Sequence, residues 1–166
     1  TVEGDLGLRI SALHAADAVG ADAELQAYAA EASRSPDRLP ETPMEESLER
    51  CLAEGISAVA LARHAGRRRR IFTARGEAEL IRGKDLRSVR TLITTGGYLA
   101  RTQGIRISLP RESVGVEEIL LPTEIDLYRD REYLLPLLAN LAFDYPTESA
   151  AAAETVLALE EHMQWN

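Results

Sequence analysis

The chain has 166 residues, 45% of them apolar, with 19 basic against 27 acidic side chains and a net charge of -8. That length suits one domain or two small lobes with a real core; no apolar run nears the roughly 18 residues needed to span a bilayer, and no signal-peptide pattern is visible. The acidic balance disfavours nonspecific nucleic-acid binding, and a single cysteine, Cys51, excludes an internal disulfide and fits a reducing cytoplasm.

The chain opens at Thr1 without an initiator methionine, and Val2 to Gly7 reads like interior sequence, so a piece of a longer protein is expected. Asp5, with Gly4 and Gly7 on either side, has two readings. It belongs to a turn that requires the glycines, or it is a carboxylate that a ligand can approach closely. Leu8 to Leu13 then leads into an alanine-rich helix that Gly20 stops, and Asp22 caps a second helix through Ala32 with Leu25, Tyr28 and Ala29 on one side. Ser33 to Pro40, a polar stretch with two prolines, reads as a loop.

The strongest local signal follows. Thr42-Pro43-Met44-Glu45 is a capping box with proline at the first helical position. Met44, Leu48, Leu52, Ile56 and Val59 recur at helical spacing, so an amphipathic helix is expected over 43 to 65 with Gly66 as its stop. Cys51 lies beside this stripe and is expected to be buried.

Past Gly66 the elements shorten. Arg67 to Arg70 reads either as a solvated edge strand or helix exit, or as a polyanion site without the interleaved aromatics that a single-strand groove uses. Arg69 to Thr73 suggests a strand, Glu77 to Gly83 a further short element before a turn at Gly83-Lys84-Asp85, and Val89 to Thr94 a buried strand that ends in Gly96-Gly97, with a helix starting at Tyr98. Ile105 to Leu109 alternates like a strand, and Ile119 to Pro122 is apolar. Asp130 is expected to cap a leucine-rich helix from Arg131 to Phe143 that Pro136 bends, and Thr147 to Met163 to form a terminal helix. The mixture is α/β. Its composition divides it into a mainly helical part, 1–66, and an α/β part, 67–166, that carries the Gly-Gly turn and the C-terminal helices.

The run Val89 to Gly97 is the main candidate site. A strand turning through two glycines leaves bare N–H groups at its carboxyl end, where phosphates and nucleotides approach most easily; the same pattern serves as a plain structural turn. His14, His64 and His162 are scattered without metal-ligand spacing. Glu45-Glu46 and Glu160-Glu161 point in different directions on expected helices and suit solvation and helix ends. No nucleophile elbow, Cys/His pair or Walker loop occurs. No catalytic residue is assigned.

Three blocks carry a resemblance: TVEGDLGLRISA, IRGKDLRSVRTLITTGGYLAR and ILLPTEIDLYRDREYLLPLLANLAFDYPTESA, about 65 residues in order along the chain. They resemble the MutL-type accessory proteins of glutamate mutase and ornithine aminomutase, which are unrelated to mismatch repair. That family is similar to the actin, sugar-kinase and heat-shock-70 ATPases, and its members are regarded as reactivating chaperones of adenosylcobalamin-dependent mutases. The resemblance implies the C-terminal lobe of an actin-like (ribonuclease H-like) ATPase fold with a helical subdomain. It implies ATP or ADP with Mg²⁺ in the full-length protein, Thr95, Gly96 and Gly97 as an adenosine turn, and Asp5 just downstream of a second phosphate loop. The chain departs from the pattern: Thr94 stands where the family turn usually has glycine, and neither phosphate loop, nor any Asp-x-Gly-Gly, is present. The resemblance therefore implies half a nucleotide site and no hydrolysis by this segment. A small-molecule kinase lobe and a nucleotide-independent scaffold are the competing readings.

Overall fold

In a computed structural model, residues 3–108 and 117–164 are described. In chain order the elements are α1 (Ala12–Val19), α2 (Ala23–Arg34), α3 (Pro43–His64), β1 (Arg67–Thr73), β2 (Gly76–Arg82), β3 (Thr91–Thr94), α4 (Gly97–Arg101), β4 (Glu117–Ile119), β5 (Glu124–Asp130), α5 (Leu135–Leu141), α6 (Pro146–Val156) and β6 (Leu157–Gln164). The chain is thus mixed α/β with two three-stranded sheets, ordered β2-β1-β4 and β3-β5-β6.

Contacts divide it into two units, Thr1–Leu86 with Arg106–Leu121, and Arg87–Ile105 with Pro122–Asn166. The division falls past residue 66 because backbone bonds tie the end of α3 to the sheet beyond it. Gly66 N–H donates to Lys84 O, and Leu120 N–H donates to Gly66 O. Gly66 is needed for that approach: a Cβ on it would lie 2.7 Å from Lys84 O. It ends the helix through close packing rather than through the left-handed turn usual for a C-terminal glycine.

The first unit is built on three helices. Gly20 closes α1 in the left-handed conformation (φ 66°), and the Asp22 carboxylate caps α2 by accepting from Leu25 N–H. Thr42 and Glu45 form the full capping box of α3. Small residues let these helices approach: Ala12, Ala15, Ala16, Ala29 and Ala32 surround Leu25 and Leu52. Gly55 admits α1, since a Cβ there would lie 2.9 Å from a Val19 methyl. The buried line of α3 runs through Glu49, Leu52 and Ala53. Cys51, one helical step (about 100°) away from Leu52, is therefore exposed rather than buried, and so is Met44.

The arginine run lies on β1, which is the central strand of its sheet rather than an edge. Acidic residues on both neighbours answer it, with Arg68 paired to Glu79 and Glu118 and Arg70 to Glu77. This arrangement supports the solvated reading over a polyanion site.

In the second unit β3 and β5 run parallel and β6 is antiparallel to β5. Two expected helices change here, and a strand precedes them. The alternation of Ile125, Leu127 and Arg129 on a buried face makes 124–130 a strand. The leucine-rich helix consequently shortens to Leu135–Leu141, and Pro136 falls in its first turn, where it costs no hydrogen bond. The terminal helix stops at Val156, and the chain continues as β6 because β5 offers it an antiparallel ladder. His162 and the Glu160-Glu161 pair are accordingly on a strand. Residues 105–108 form no strand, although Ile105 and Ile107 are buried; Leu109 lies outside the described residues.

Candidate functional site

The glycine turn sits where two parallel strands end side by side. β3 pairs with β5 from Thr91↔Asp126 to Thr94↔Arg129. The next residues, Thr95-Gly96-Gly97 and Asp130, therefore share the carboxyl edge of the sheet, the edge at which α/β sheets receive ligands. The expected turn is present and α4 begins at Gly97, but the strand is two residues shorter at its start and is not the buried strand expected: Thr94 alone of its four residues is buried, and Ile93 is exposed because no described helix covers that face. At five residues α4 is too short to contribute much dipole, so any ligand contact here depends on exposed backbone.

The two glycines differ. Gly96 has φ 114°, a conformation that side chains rarely adopt, so the turn itself requires glycine. Gly97 has an ordinary φ, and a Cβ on it would meet nothing within 4 Å. Nothing in the fold demands glycine there.

Side chains of β3 and β5 lock the turn. Thr94 Oγ1 donates to Tyr128 O at 3.3 Å, and Thr95 Oγ1 donates to Asp130 Oδ2 at 2.8 Å. Asp130 is fully buried and also accepts from Leu134 N–H and Leu135 N–H, each at 3.0 Å. Burial opposes its charge, but these backbone donors and Thr95 hold its carboxyl below the usual aspartate range. Arg129, also buried, donates from Nη1 to Ala100 O and from Nε to Glu160 Oε1. The register of β6 skips Glu160, with Leu127 opposite Glu161 and Tyr128 opposite Leu159. The resulting bulge sets Glu160 apart from the regular ladder, where it pairs with Arg129.

Asp5 belongs to the other unit. Its Oδ2 accepts from Arg63 Nη1 at 2.7 Å, and Glu3 shares the same guanidinium at 3.0 Å. The hydrogen bond from Arg63 lowers its pKa, against an opposing desolvation. Neither Gly4 nor Gly7 has positive φ, and a Cβ on either would meet no atom closer than 3.5 Å. The local backbone thus gives no reason for those glycines. His64 lies by Lys84 at 3.5 Å and His162 by Asp126 at 2.7 Å. No cluster of three His, Cys, Asp or Glu suited to a metal occurs among the described residues.

One group escaped the sequence reading. Glu49 is completely buried among the three helices and accepts from Arg9 Nη2 and Tyr28 Oη, both at 2.5 Å. Burial, and then the bond to Glu49, raise the Tyr28 pKa. A glutamate on the Leu48-Leu52 line was the available signal. Each partner of this triad is spent on the others, so it holds the helices in place and offers no free group to a ligand.

What the second unit presents is a rigid, side-chain-free turn at a parallel strand edge. Asp130 and Arg129 of β5 lie against it and are bonded to Thr95 and Ala100 on its two sides. No helix among the described residues is long and apolar enough to cross a membrane. A family model described as "MutL protein" matches residues 1–157. The chain is 30% identical over 162 residues to "Protein MutL" of Clostridium tetanomorphum, covering 90% of this chain and 35% of that relative. The chain therefore spans about a third of the length of the curated relative it matches. No solved structure matches it.

Proposed function

The chain belongs to the MutL protein family, and from that premise we propose that it is part of an ATP-binding, chaperone-like factor that reactivates an adenosylcobalamin-dependent amino-acid mutase by exchanging damaged cofactor. The mutase, of the glutamate mutase or ornithine aminomutase kind, is the protein partner, and the factor works in the cytoplasm. On this reading the chain is a C-terminal lobe of actin-like type. The parallel pair β3 and β5, with its glycine turn at the carboxyl edge, supports that assignment. Thr95, Gly96 and Gly97 would hold adenosine, and Asp5 is a separate candidate contact in the other unit. Magnesium ATP, bound mainly by parts beyond this chain, would supply the energy difference between a closed and an open form.

The observation that carries the reading is Gly97. Neither its φ nor its packing demands glycine, and bare backbone at the carboxyl edge of β3 and β5 suits a ligand that docks closely there. The test is calorimetric titration of the full-length protein with ATP and ADP in the presence of Mg²⁺. Binding at micromolar concentration is expected, and no heat from either nucleotide overturns the proposal.

A further inference from the structure

We propose that Asp130 and Arg129 are positioning residues that clamp the 95–101 segment at both ends, so that the glycine turn is held in its nucleotide-competent shape before any nucleotide arrives. This rests on the nucleotide reading above. Two consecutive glycines form the softest peptide a chain can place at a ligand site, and their freedom must be lost on binding unless the fold has already removed it. The anchors all come from three consecutive residues of β5. Tyr128 O takes Thr94 Oγ1, the Asp130 carboxylate takes Thr95 Oγ1, and the Arg129 guanidinium takes Ala100 O. Every one of these falls on Thr94, Thr95 or Ala100, outside the glycines, so the turn is fixed while its own face stays bare.

The anchors are themselves well supported. Asp130 is fully buried and tied to the start of α5, and Tyr133, whose N–H donates to Asp130 O, accepts a positive φ of 54° to close that turn. Among the described residues no other non-glycine does so. Arg129 is held in turn by Glu160 from the bulge in β6. The clamp acts on population: a ligand that binds one conformer loses apparent affinity in proportion as that conformer becomes rarer.

The experiment measures the Kd of Mg-ADP by calorimetry, and the melting temperature without nucleotide, for the full-length protein and four variants. Thr95→Val deletes the hydroxyl donor at nearly constant volume, and Asp130→Asn alters its acceptor while leaving the turn residues in place. Arg129→Lys keeps the charge and loses the fork. Leu127→Ala removes a buried β5 side chain, 2% exposed, that makes none of the three anchors. Expected are a Kd about tenfold weaker for Thr95→Val and for Asp130→Asn and severalfold weaker for Arg129→Lys, with Leu127→Ala within about twofold of wild type although it melts well below it. An Asp130→Asn or Arg129→Lys protein that binds like wild type overturns the clamp. So does a Leu127→Ala protein that loses affinity in proportion to its loss of stability, because the effect is then general softening. If wild type binds no nucleotide, both the clamp and the reading it rests on fail.

Discussion

Replacing Glu49 with glutamine tests whether the helical part is held by its buried ion pair. The carboxylate has no exposed surface and accepts two short bonds, from Arg9 and from Tyr28. Glutamine keeps the shape but turns an NH₂ towards one of those donors. One charge-assisted bond worth roughly 1.5–3 kcal/mol is lost, and the other falls to a neutral bond of roughly 1 kcal/mol. The Arg9 side chain is 22% exposed, so its guanidinium can recover some hydration. The net destabilisation is then about 2–3 kcal/mol, short of the cost of stranding a fully buried charge. For a chain of this size that lowers Tm by roughly 5–10 °C. Urea and thermal unfolding followed by far-ultraviolet circular dichroism read this directly. A double-mutant cycle with Arg9→Met isolates the pair, with an expected coupling above about 1 kcal/mol. The double variant Arg9→Met/Glu49→Leu should recover to within about 1 kcal/mol of wild type, as apolar replacements of buried pairs do. A Glu49→Gln protein within about 0.5 kcal/mol of wild type, or a cycle with no coupling, refutes the reasoning.

Other consequences follow from single contacts. Gly97→Val should leave the melting temperature of the chain within a few degrees, because its Cβ meets open space, and should weaken Mg-ADP binding by the full-length protein at least tenfold; unchanged nucleotide affinity with intact mutase binding would favour the scaffold reading. Gly66→Ala should cost more than about 2 kcal/mol in a urea melt, since its Cβ would press on the backbone of Gly83 and Lys84 at 2.7–2.8 Å; Gly4→Ala, with nothing within 4 Å, serves as the neutral control. Glu45 has its pKa lowered to about 2 by the Glu41 N–H and then by Arg38. A carboxylate depressed in the folded state stabilises above its unfolded value and loses that contribution as the pH falls from about 4.5 towards 2. Acid titration of stability should show this limb in wild type and not in Glu45→Gln. Tyr28 has the opposite sign: its raised pKa means stability is present below the ordinary tyrosine value near 10 and declines above it, a limb that Tyr28→Phe should remove.

Local rules made the helical half readable. Gly20, Asp22 and the Thr42-Glu45 box act within one turn of the chain, so α1, α2 and α3 appear where their caps place them. The turn at Gly96-Gly97 was legible for the same reason, since two glycines after a β-branched run admit few other conformations. The other half was hidden because its elements depend on partners far along the chain. Leu157 to Gln164 carries helix-compatible residues and becomes a strand only because β5 supplies a ladder, and Glu160 leaves that ladder to meet Arg129. The segment 124–130 did alternate, but its buried face includes Arg129, and an arginine on a core face reads as solvent-facing until its acceptors are known. Asp130 reads as the cap of a helix from Arg131, whereas it ends β5, accepts from the N–H groups of Leu134 and Leu135 at the start of α5, and binds Thr95, 35 residues away in sequence.

The capped helices, the glycine turn and the membership of the chain in its family can be read from residues alone, because they depend on residue types at short spacing and on ordered blocks. What surrounds the turn depends on long-range pairing. A strand, its register and a buried ionic anchor are settled by pairing free energy between distant segments, and no local preference can specify which partner will be there.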